Sequence, residues 1–242
     1  MEKAKEFLPQ IQEEGLPVEF LYLDLRNVDS ICEAIDSIIK KEGRIDVLVN
    51  NAGYGLIGFF EECSMDEIRD QFETNFFSQV YLIQKILPIM RSQKGGRIIN
   101  ISSIYAQYAF PLTSIYAATK FSIEAITDAL RIELAPFGIQ VATIRPSGIK
   151  TNFHKAAIFP KSSDGQSRPY LHVAEAYVKK MKSGDGGNSS PEIVAKKIYR
   201  ALESRQMKRC YLAGDKARLL AFLKFVLPNK LFENIFKRSF RI

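Results

Sequence analysis

The chain has 242 residues, of which 46% are hydrophobic, and this size and composition predict a globular chain with one substantial core. No apolar run reaches the roughly 20 residues of a membrane span, and the N-terminus lacks the apolar core of a signal peptide. Two histidines exclude a histidine-rich metal site. Three cysteines without metal-binding or CxxC spacing indicate a reducing, cytoplasmic environment, so no metal is predicted.

The net charge of +7 is concentrated in the C-terminal tail. Residues 205–242 contain ten Lys/Arg and two Asp/Glu, whereas residues 1–204 contain 24 basic and 25 acidic residues. The basic character therefore belongs to the tail and not to the rest of the domain.

Hydrophobic periodicity predicts alternating strands and helices along the chain. The predicted helices are residues 2–13, 28–41, 64–91, 114–136 and 191–204, and the predicted strands are residues 18–23, 45–49, 97–101, 139–144 and 209–212. Ser64 and Glu67 form a capping-box pattern at the start of the third helix. Such alternation predicts an α/β fold with a doubly wound, Rossmann-like parallel sheet, in which ligands bind at the carboxyl ends of the strands.

Residues 162–190 differ in composition, because Ser, Gly, Asp and Asn surround one short helical stretch at residues 171–181. This pattern predicts either a lid over a binding site or a plain surface insertion. We therefore predict a single domain over residues 1–242, with a candidate substrate lid at 153–190 and basic amphipathic helices at 205–242.

Gly53, Gly55 and Gly58 match the G-x-G-x-x-G pattern of dinucleotide-binding loops. In such loops a helix begins at the glycines, so that its N-terminus meets the pyrophosphate. Here the capping box places the helix start at Ser64, and the sequence therefore argues against a phosphate loop at these glycines.

Ser103, Tyr116 and Lys120 have the arrangement of a proton-delivery site. Ser103 follows the predicted strand at residues 97–101, and residues four apart on a helix share a face, so the Tyr116 phenol would lie beside the Lys120 ammonium. Tyr81 and Lys85 have the same spacing, but no strand-end hydroxyl precedes them. We interpret that second pair as packing plus a solvated lysine.

The chemistry of the first pair depends on the pKa of the phenol. A free tyrosine titrates at about 10, and an ammonium ~4.5 Å away at an effective dielectric of ~20 would lower this by two to three units. We therefore expect Lys120 to bring the pKa of Tyr116 into the range of general acid–base catalysis.

With these residues in place, the chain resembles the short-chain dehydrogenase/reductase family, and in particular its hydroxysteroid and retinol dehydrogenase-like members. The resemblance covers residues 18–152 and rests on several motifs in order. They are Asn50-Asn51-Ala52-Gly53 after a strand, Asn75 within a helix, Ser103 with Tyr116 and Lys120, and Pro146-Ser147-Gly148 followed by Thr151.

The resemblance implies a role for each of these side chains. Tyr116 would be the general acid and base, Lys120 would lower its pKa and bind the nicotinamide ribose, Ser103 would bind the substrate oxygen, and Asn75 would hold a proton-relay water. The implied cofactor is NAD or NADP. Its predicted binding residues are Asp24, Leu25, Asn51, Ala52, Gly53, Tyr116, Lys120, Pro146, Ser147, Gly148, Ile149 and Thr151. For Gly53 the lack of a Cβ would allow close approach of a ligand.

The sequence departs from the family at its N-terminus. The family's first strand, glycine-rich T-G-x-x-x-G-x-G turn, first helix and second strand have no counterpart, so residues 18–23 would correspond to the family's third strand. Two absent strands would leave a gap of roughly 14 Å between residues 18–23 and 45–49, with apolar strand edges exposed.

Two functions follow from the resemblance. The first is an NAD(P)-dependent oxidoreductase that interconverts alcohols and ketones or aldehydes of lipophilic type, such as steroids, retinoids or acyl compounds. The second is a catalytically impaired pseudo-enzyme or dimerisation partner, with helices 64–91 and 114–136 as the interface. The resemblance also predicts a homodimer or homotetramer.

The tail, residues 216–242, permits two interpretations. It could lie on an anionic membrane as an amphipathic helix pair broken at Pro228, or pack on the substrate pocket with a solvated basic face. The second pattern is the commoner one for surface helices. Nucleic-acid binding is not predicted, because the basic residues alternate with aliphatic positions and not with exposed aromatic ones.

Overall fold

The computed structural model describes residues 17–153, 157–160, 189–214 and 217–240, together with residues 9 and 13–15. The predicted helix at residues 2–13 and most of the predicted lid, including the helical stretch at 171–181, lie outside the described residues.

Four parallel strands form the sheet: β1 (Val47–Asn50), β2 (Gly96–Ile101), β3 (Ile139–Pro146) and β4 (Cys210–Ala213). They pair in the order β1-β2-β3-β4, with Val49 opposite Ile99 and Thr143 opposite Cys210. All four carboxyl ends therefore lie at one edge of the sheet, as predicted for a doubly wound α/β fold.

The helices are α1 (Val28–Glu42), α2 (Met65–Phe72), α3 (Ser78–Ser92), α4 (Ser114–Glu133), α5 (Glu192–Glu203), α6 (Ala217–Val226) and α7 (Asn229–Phe240). A π-helical turn (Glu73–Phe77) joins α2 to α3. The capping box at the start of α2 is confirmed, because the Glu67 amide donates to the Ser64 hydroxyl and the Ser64 amide donates to the Glu67 carboxylate.

Two hydrophobic clusters cover the two faces of the sheet. Ile98 and Val141 pack with α1 and α3 in the first cluster, whereas their neighbours Ile99 and Ala142 pack with α5 in the second. Successive strand residues point to opposite faces, so the continuous apolar runs of β2 and β3 reflect burial on both sides.

The predicted strand at residues 18–23 does not form, and most of its side chains are exposed. A strand needs a hydrogen-bonding neighbour, and none of the described residues pairs with the outer edge of β1. The gap expected between two surviving strands is therefore wrong in detail, because residues 18–23 occupy no position in the sheet. Val47 is 40% exposed, so the predicted exposure of an apolar edge is confirmed among the described residues.

The C-terminal helices α6 and α7 are separated at Pro228, as the sequence predicts. Their inner side packs on the segment after β2, where Phe232 joins Ile104 and Tyr108 in one buried cluster. Among the described residues, no helix combines the length and the apolar character needed to cross a bilayer.

Candidate active site

Ser103 and Tyr116 are brought together at the carboxyl end of β2. Ser103 follows the strand in an extended conformation, and Tyr116 lies in the first turn of α4. Both side chains are buried, and they are close enough for the Ser103 hydroxyl to lower the pKa of the Tyr116 phenol. The predicted pairing of a strand-end serine with the helix tyrosine is therefore present in the fold.

Lys120 lies one helical turn beyond Tyr116 and is also buried. Its Nζ donates to the Ile101 carbonyl at 2.8 Å and lies 5.8 Å from the centroid of the Tyr116 ring. Burial lowers the pKa of Lys120 to about 8, and the Glu124 carboxylate opposes that shift. The lysine therefore remains mainly protonated at neutral pH.

The pKa of Tyr116 moves in the opposite direction to the one predicted. Burial raises it, because a phenolate loses its hydration there, and the hydrogen bond with Ser103 lowers it in part. The Lys120 ammonium is directed to the Ile101 carbonyl, which the sequence gives no means of anticipating. In this geometry Tyr116 is a neutral phenol at physiological pH.

Asn75 is fully buried in the π-helical turn, and its side-chain amide hydrogen-bonds the backbone of Tyr54. Its Oδ1 accepts from the Tyr54 amide at 3.1 Å, and its Nδ2 donates to the Tyr54 carbonyl at 2.8 Å. Nδ2 also lies 3.4 Å from the hydroxyl of Thr119, which in turn donates to the Tyr116 carbonyl. Asn75 thus connects the loop after β1 to the helix that carries Tyr116.

Sequence reasoning missed two glutamines that assist Asn75. Gln71 accepts from the Leu56 amide at 2.5 Å, and Gln79 donates to the Ala52 carbonyl at 2.9 Å. Together with Asn75 they form an amide clamp, Gln71-Asn75-Gln79, on the loop at residues 52–56. The four-residue spacing of three amides was the available signal, but their backbone partners cannot be read from the sequence.

Gly53 is required by this clamp. A Cβ at Gly53 would lie 2.9 Å from Asn75 Oδ1, closer than real Cβ atoms approach other heavy atoms. The Asn75 side chain alone thus requires a glycine here, and the predicted close approach of a ligand to Gly53 stays a prediction.

The glycine pattern at Gly53, Gly55 and Gly58 is confirmed not to open a helix, because α2 begins only at Met65. A Cβ at Gly58 would lie 2.2 Å from Pro160 Cγ, and one at Gly55 would lie 3.2 Å from Phe153 Cζ. Close packing accounts for these two glycines.

Two groups of predicted cofactor residues lie at the carboxyl edge of the sheet. Asn51, Ala52 and Gly53 follow β1 and are exposed. Pro146 is the last residue of β3, and backbone contacts fix the segment that follows it. There the Ser147 amide donates to Ala213, Gly148 has a positive φ of 60°, Ile149 bridges to Ser189, and the Thr151 hydroxyl accepts from the Phe153 amide.

Asp24 and Leu25 lie apart from this group. The Asp24 carboxylate accepts from the Arg26 amide at 2.9 Å, and its own amide donates to the Ser30 hydroxyl, so Asp24 stabilises the turn that precedes α1. Leu25 packs on the first hydrophobic cluster. Their predicted contact with a cofactor stays a prediction.

The residues present fit the nicotinamide–ribose end of a dinucleotide. An ammonium has three N–H donors. Lys120 donates one of them to the Ile101 carbonyl, which leaves two for ribose hydroxyls. Exposed backbone at residues 51–53 and the segment at 146–151 flank that position. Within the described residues no glycine-rich turn leads into the start of a helix.

Aromatic side chains surround Tyr116 and form what we call the aromatic wall: Tyr105, Tyr108, Phe110 and Phe153. The Tyr116 centroid lies 6.0 Å from that of Tyr105 and 5.5 Å from that of Phe153. The Tyr105 ring contacts Phe110, and the Tyr108 ring contacts Phe232 of α7 at 5.3 Å. Tyr105, Tyr108 and Phe110 lie in the segment after β2, whereas Phe153 lies after β3, and the contact of both segments with Tyr116 cannot be read from the sequence.

A parallel doubly wound sheet with a buried Ser–Tyr–Lys group at its carboxyl edge defines the class of Rossmann-like oxidoreductases. A family model described as short chain dehydrogenase matches residues 1–160. The chain therefore belongs to the short-chain dehydrogenase family and is an oxidoreductase.

Relatives and a solved structure agree with this assignment. A probable short-chain type dehydrogenase/reductase, VdlC of Helicobacter pylori, is 34% identical over 220 residues, which are 90% of this chain and 80% of the relative. The 3-ketodihydrosphingosine reductase of Bacteroides thetaiotaomicron is 40% identical over 136 residues, 56% of this chain and 51% of that protein.

The NADPH-dependent 3-dehydrocapnine reductase of Ornithobacterium rhinotracheale is 31% identical over 227 residues, 90% of this chain and 78% of that protein. The structure of ElxO with NADP bound superimposes with a TM-score of 0.71 at 25% identity. That match covers 90% of this chain and 85% of ElxO.

Proposed function

We propose that this chain interconverts a lipophilic ketone and its alcohol with NADP(H), with Tyr116 as the acid and base. The observation that carries the proposal is the burial of Tyr116 beside Ser103 and Lys120, with aromatic rings around the phenol. A hydroxyl pair sheltered from water is suited to hold and protonate one carbonyl oxygen.

The raised pKa of Tyr116 suits the reductive direction, because the phenol is protonated and ready to donate. Ser103 hydrogen-bonds the same substrate oxygen and keeps it in line with the phenol. Once the proton has left, the Lys120 charge stabilises the phenolate across the short distance between the two side chains. Asn75 fixes the loop after β1 against α4, and its predicted role of holding a proton-relay water stays a prediction.

A nicotinamide cofactor supplies the hydride when bound. Lys120 would hold its ribose, and residues 51–53 and 146–151 would flank the ring. The choice of NADP(H) is supported by ElxO, solved with NADP, and by the reductase from Ornithobacterium, which is named NADPH-dependent.

The lipophilic substrate is supported by the aromatic wall. Its rings offer an extended apolar surface beside Tyr116. Two relatives carry names that specify a 3-keto and a 3-dehydro substrate. The pseudo-enzyme alternative gains no support, because the relatives are named as reductases or a dehydrogenase.

The test is NADPH oxidation by the purified chain against the series of 2-ketones from butanone to tetradecan-2-one. Each buried methylene contributes about 0.8 kcal/mol, so kcat/KM should rise roughly fourfold per carbon until the apolar surface is covered. A rate that does not depend on chain length would contradict the lipophilic substrate. Titration of NADPH and NADH by fluorescence, run in parallel, separates a failure to bind cofactor from a wrong choice of ketone.

A further inference from the structure

The outward face of α6 is largely apolar, whereas the packed-tail interpretation predicts a basic face there. Leu219, Phe222, Phe225 and Val226 are all exposed, and Phe225 is 89% exposed. These positions fall within one arc of about 120° around the helix axis. Leu220, Ala221 and Leu223, on the inner side, pack against the core. The helix therefore presents apolar side chains both inward and outward.

Basic residues accompany this apolar face. Arg218 lies within the same arc of α6, and Lys230, Lys237 and Arg238 are exposed on α7. Residues 217–240 contain five Lys/Arg and one Asp/Glu. On α7, Leu231 and Ile235 are exposed on the same side as Arg238, at i, i+4 and i+7. The surface thus combines exposed apolar side chains with a net charge of +4 from residues 217–240.

This combination disfavours a second copy of the chain as the partner. A two-fold dimer brings each surface patch against its own copy, so two patches of like charge would meet. A partner with negative charge at its surface and an apolar interior complements both properties. An anionic lipid bilayer has this chemistry, and interfacial helices with Phe and Leu beside Lys and Arg are the type that bind it.

The same helices are in contact with the active site. Phe232 of α7 touches the Tyr108 ring, which stacks with Phe110, and Phe110 and Tyr105 connect it to Tyr116. A surface bound through α6 would therefore lie beside the segment that carries the aromatic wall.

We propose that α6 and α7 dock this protein on the surface of an anionic bilayer, with Phe222 and Phe225 inserted among the lipids and the basic residues facing the headgroups. The inference extends beyond the proposed reaction. It would place the active site at the layer where lipophilic ketones dissolve.

The experiment is co-sedimentation of the full chain with sucrose-loaded vesicles of phosphatidylcholine alone or with about 30% phosphatidylglycerol. A basic residue near an anionic surface strengthens binding about fivefold, so we expect at least hundredfold tighter binding to the anionic vesicles and a steep decrease with salt. The double variant Phe222→Ser/Phe225→Ser should weaken binding at least tenfold. These residues are exposed, so the fold should be kept.

Ile132→Ser is the matched control, because Ile132 is a 79% exposed apolar residue on α4, outside the tail. It should leave vesicle binding unchanged. The proposal is overturned by absence of binding, by equal binding to neutral and anionic vesicles, or by an equal loss in Ile132→Ser. It is also overturned if light scattering shows a dimer that dissociates in the Phe222/Phe225 variant. Oxidation of NADPH with butanone, a water-soluble ketone, tests the proposed reaction separately.

Discussion

The chain contains two Tyr-x-x-x-Lys pairs on helices, and only one of them is buried beside a strand-end serine in the candidate active site. In the pair on α3, Lys85 Nζ lies 5.1 Å from the centroid of the Tyr81 ring, whereas Lys120 Nζ lies 5.8 Å from that of Tyr116. The closer pair is therefore the one on the surface. Spacing and proximity do not separate the two pairs; burial and the neighbouring Ser103 do.

The pKa values of the two lysines are shifted in opposite directions. A hydrogen bond with Tyr81 raises the pKa of the exposed Lys85, whereas burial lowers the pKa of Lys120 to about 8. The surface pair behaves as an ordinary solvated contact, as the sequence predicted. The buried pair is held in a state in which both partners are costly to ionise.

The largest expected effect is on turnover. Tyr116→Phe removes the proton donor, so kcat with NADPH and a 2-ketone should decrease about 10²- to 10⁴-fold, as for the loss of a general acid. Tyr81→Phe makes the same change in the surface pair and should leave kcat within twofold. Comparable losses in both variants would show that the buried pair is not the catalytic one.

The next effect concerns stability and the ion pair one turn beyond Lys120. Arg145 makes two hydrogen bonds of 2.7 Å to the Glu124 carboxylate, and both side chains are buried. Glu124→Gln leaves the buried guanidinium without a counter-charge, so the free energy of unfolding in urea should decrease by about 3 kcal/mol or more.

Asp128 provides the control on the same helix. It makes an equally direct pair with Arg209, but that pair is exposed. Asp128→Asn should therefore cost less than about 1 kcal/mol. Equal decreases in the free energy of unfolding for the two variants would mean that burial does not determine how much these ion pairs matter for stability.

The smallest effect is a pH dependence. The folded-state pKa of Lys120, about 8, lies below its ordinary value of 10.5, so above pH 8 the unfolded chain binds the extra proton. Stability should therefore rise between pH 8 and 10.5 by at most about 3 kcal/mol from this group. Lys120→Met should lose that rise, as measured by the free energy of unfolding at several pH values, whereas Lys85→Met should keep it. A rise that persists in Lys120→Met would contradict the lowered pKa.

Much of the fold could be predicted from the sequence, because periodicity and caps are local. Strands β2 to β4 and helices α1 to α5 lie within a few residues of their predicted positions. Residues 18–23 have the apolar pattern of a strand but no partner to pair with. A strand is defined by its neighbours, and the pattern of one segment does not supply them.

The sequence predicted which side chains form the candidate site, but it did not predict the direction of their pKa shifts. Ser103 and Tyr116 meet as their spacing indicated. The direction of the Tyr116 pKa was missed because it depends on burial and on the Ile101 carbonyl that takes the lysine's hydrogen bond. Gln71 and Gln79 were missed because their partners are backbone atoms of a loop, which leave no signal in side-chain chemistry.

The π-helical turn at Glu73–Phe77 has a consequence for how this segment tolerates change of length. In an α-helix, side chains four apart drift by about 40° around the axis, because a turn takes 3.6 residues. The wider π turn rotates the chain less per residue and offsets the drift, so Gln71, Asn75 and Gln79 reach the same loop. Deleting one residue between Asn75 and Gln79 would leave a three-residue α-helical step and rotate Gln79 by about 60° relative to Asn75. A segment that looks like a tolerant helix surface is therefore fixed in its residue count.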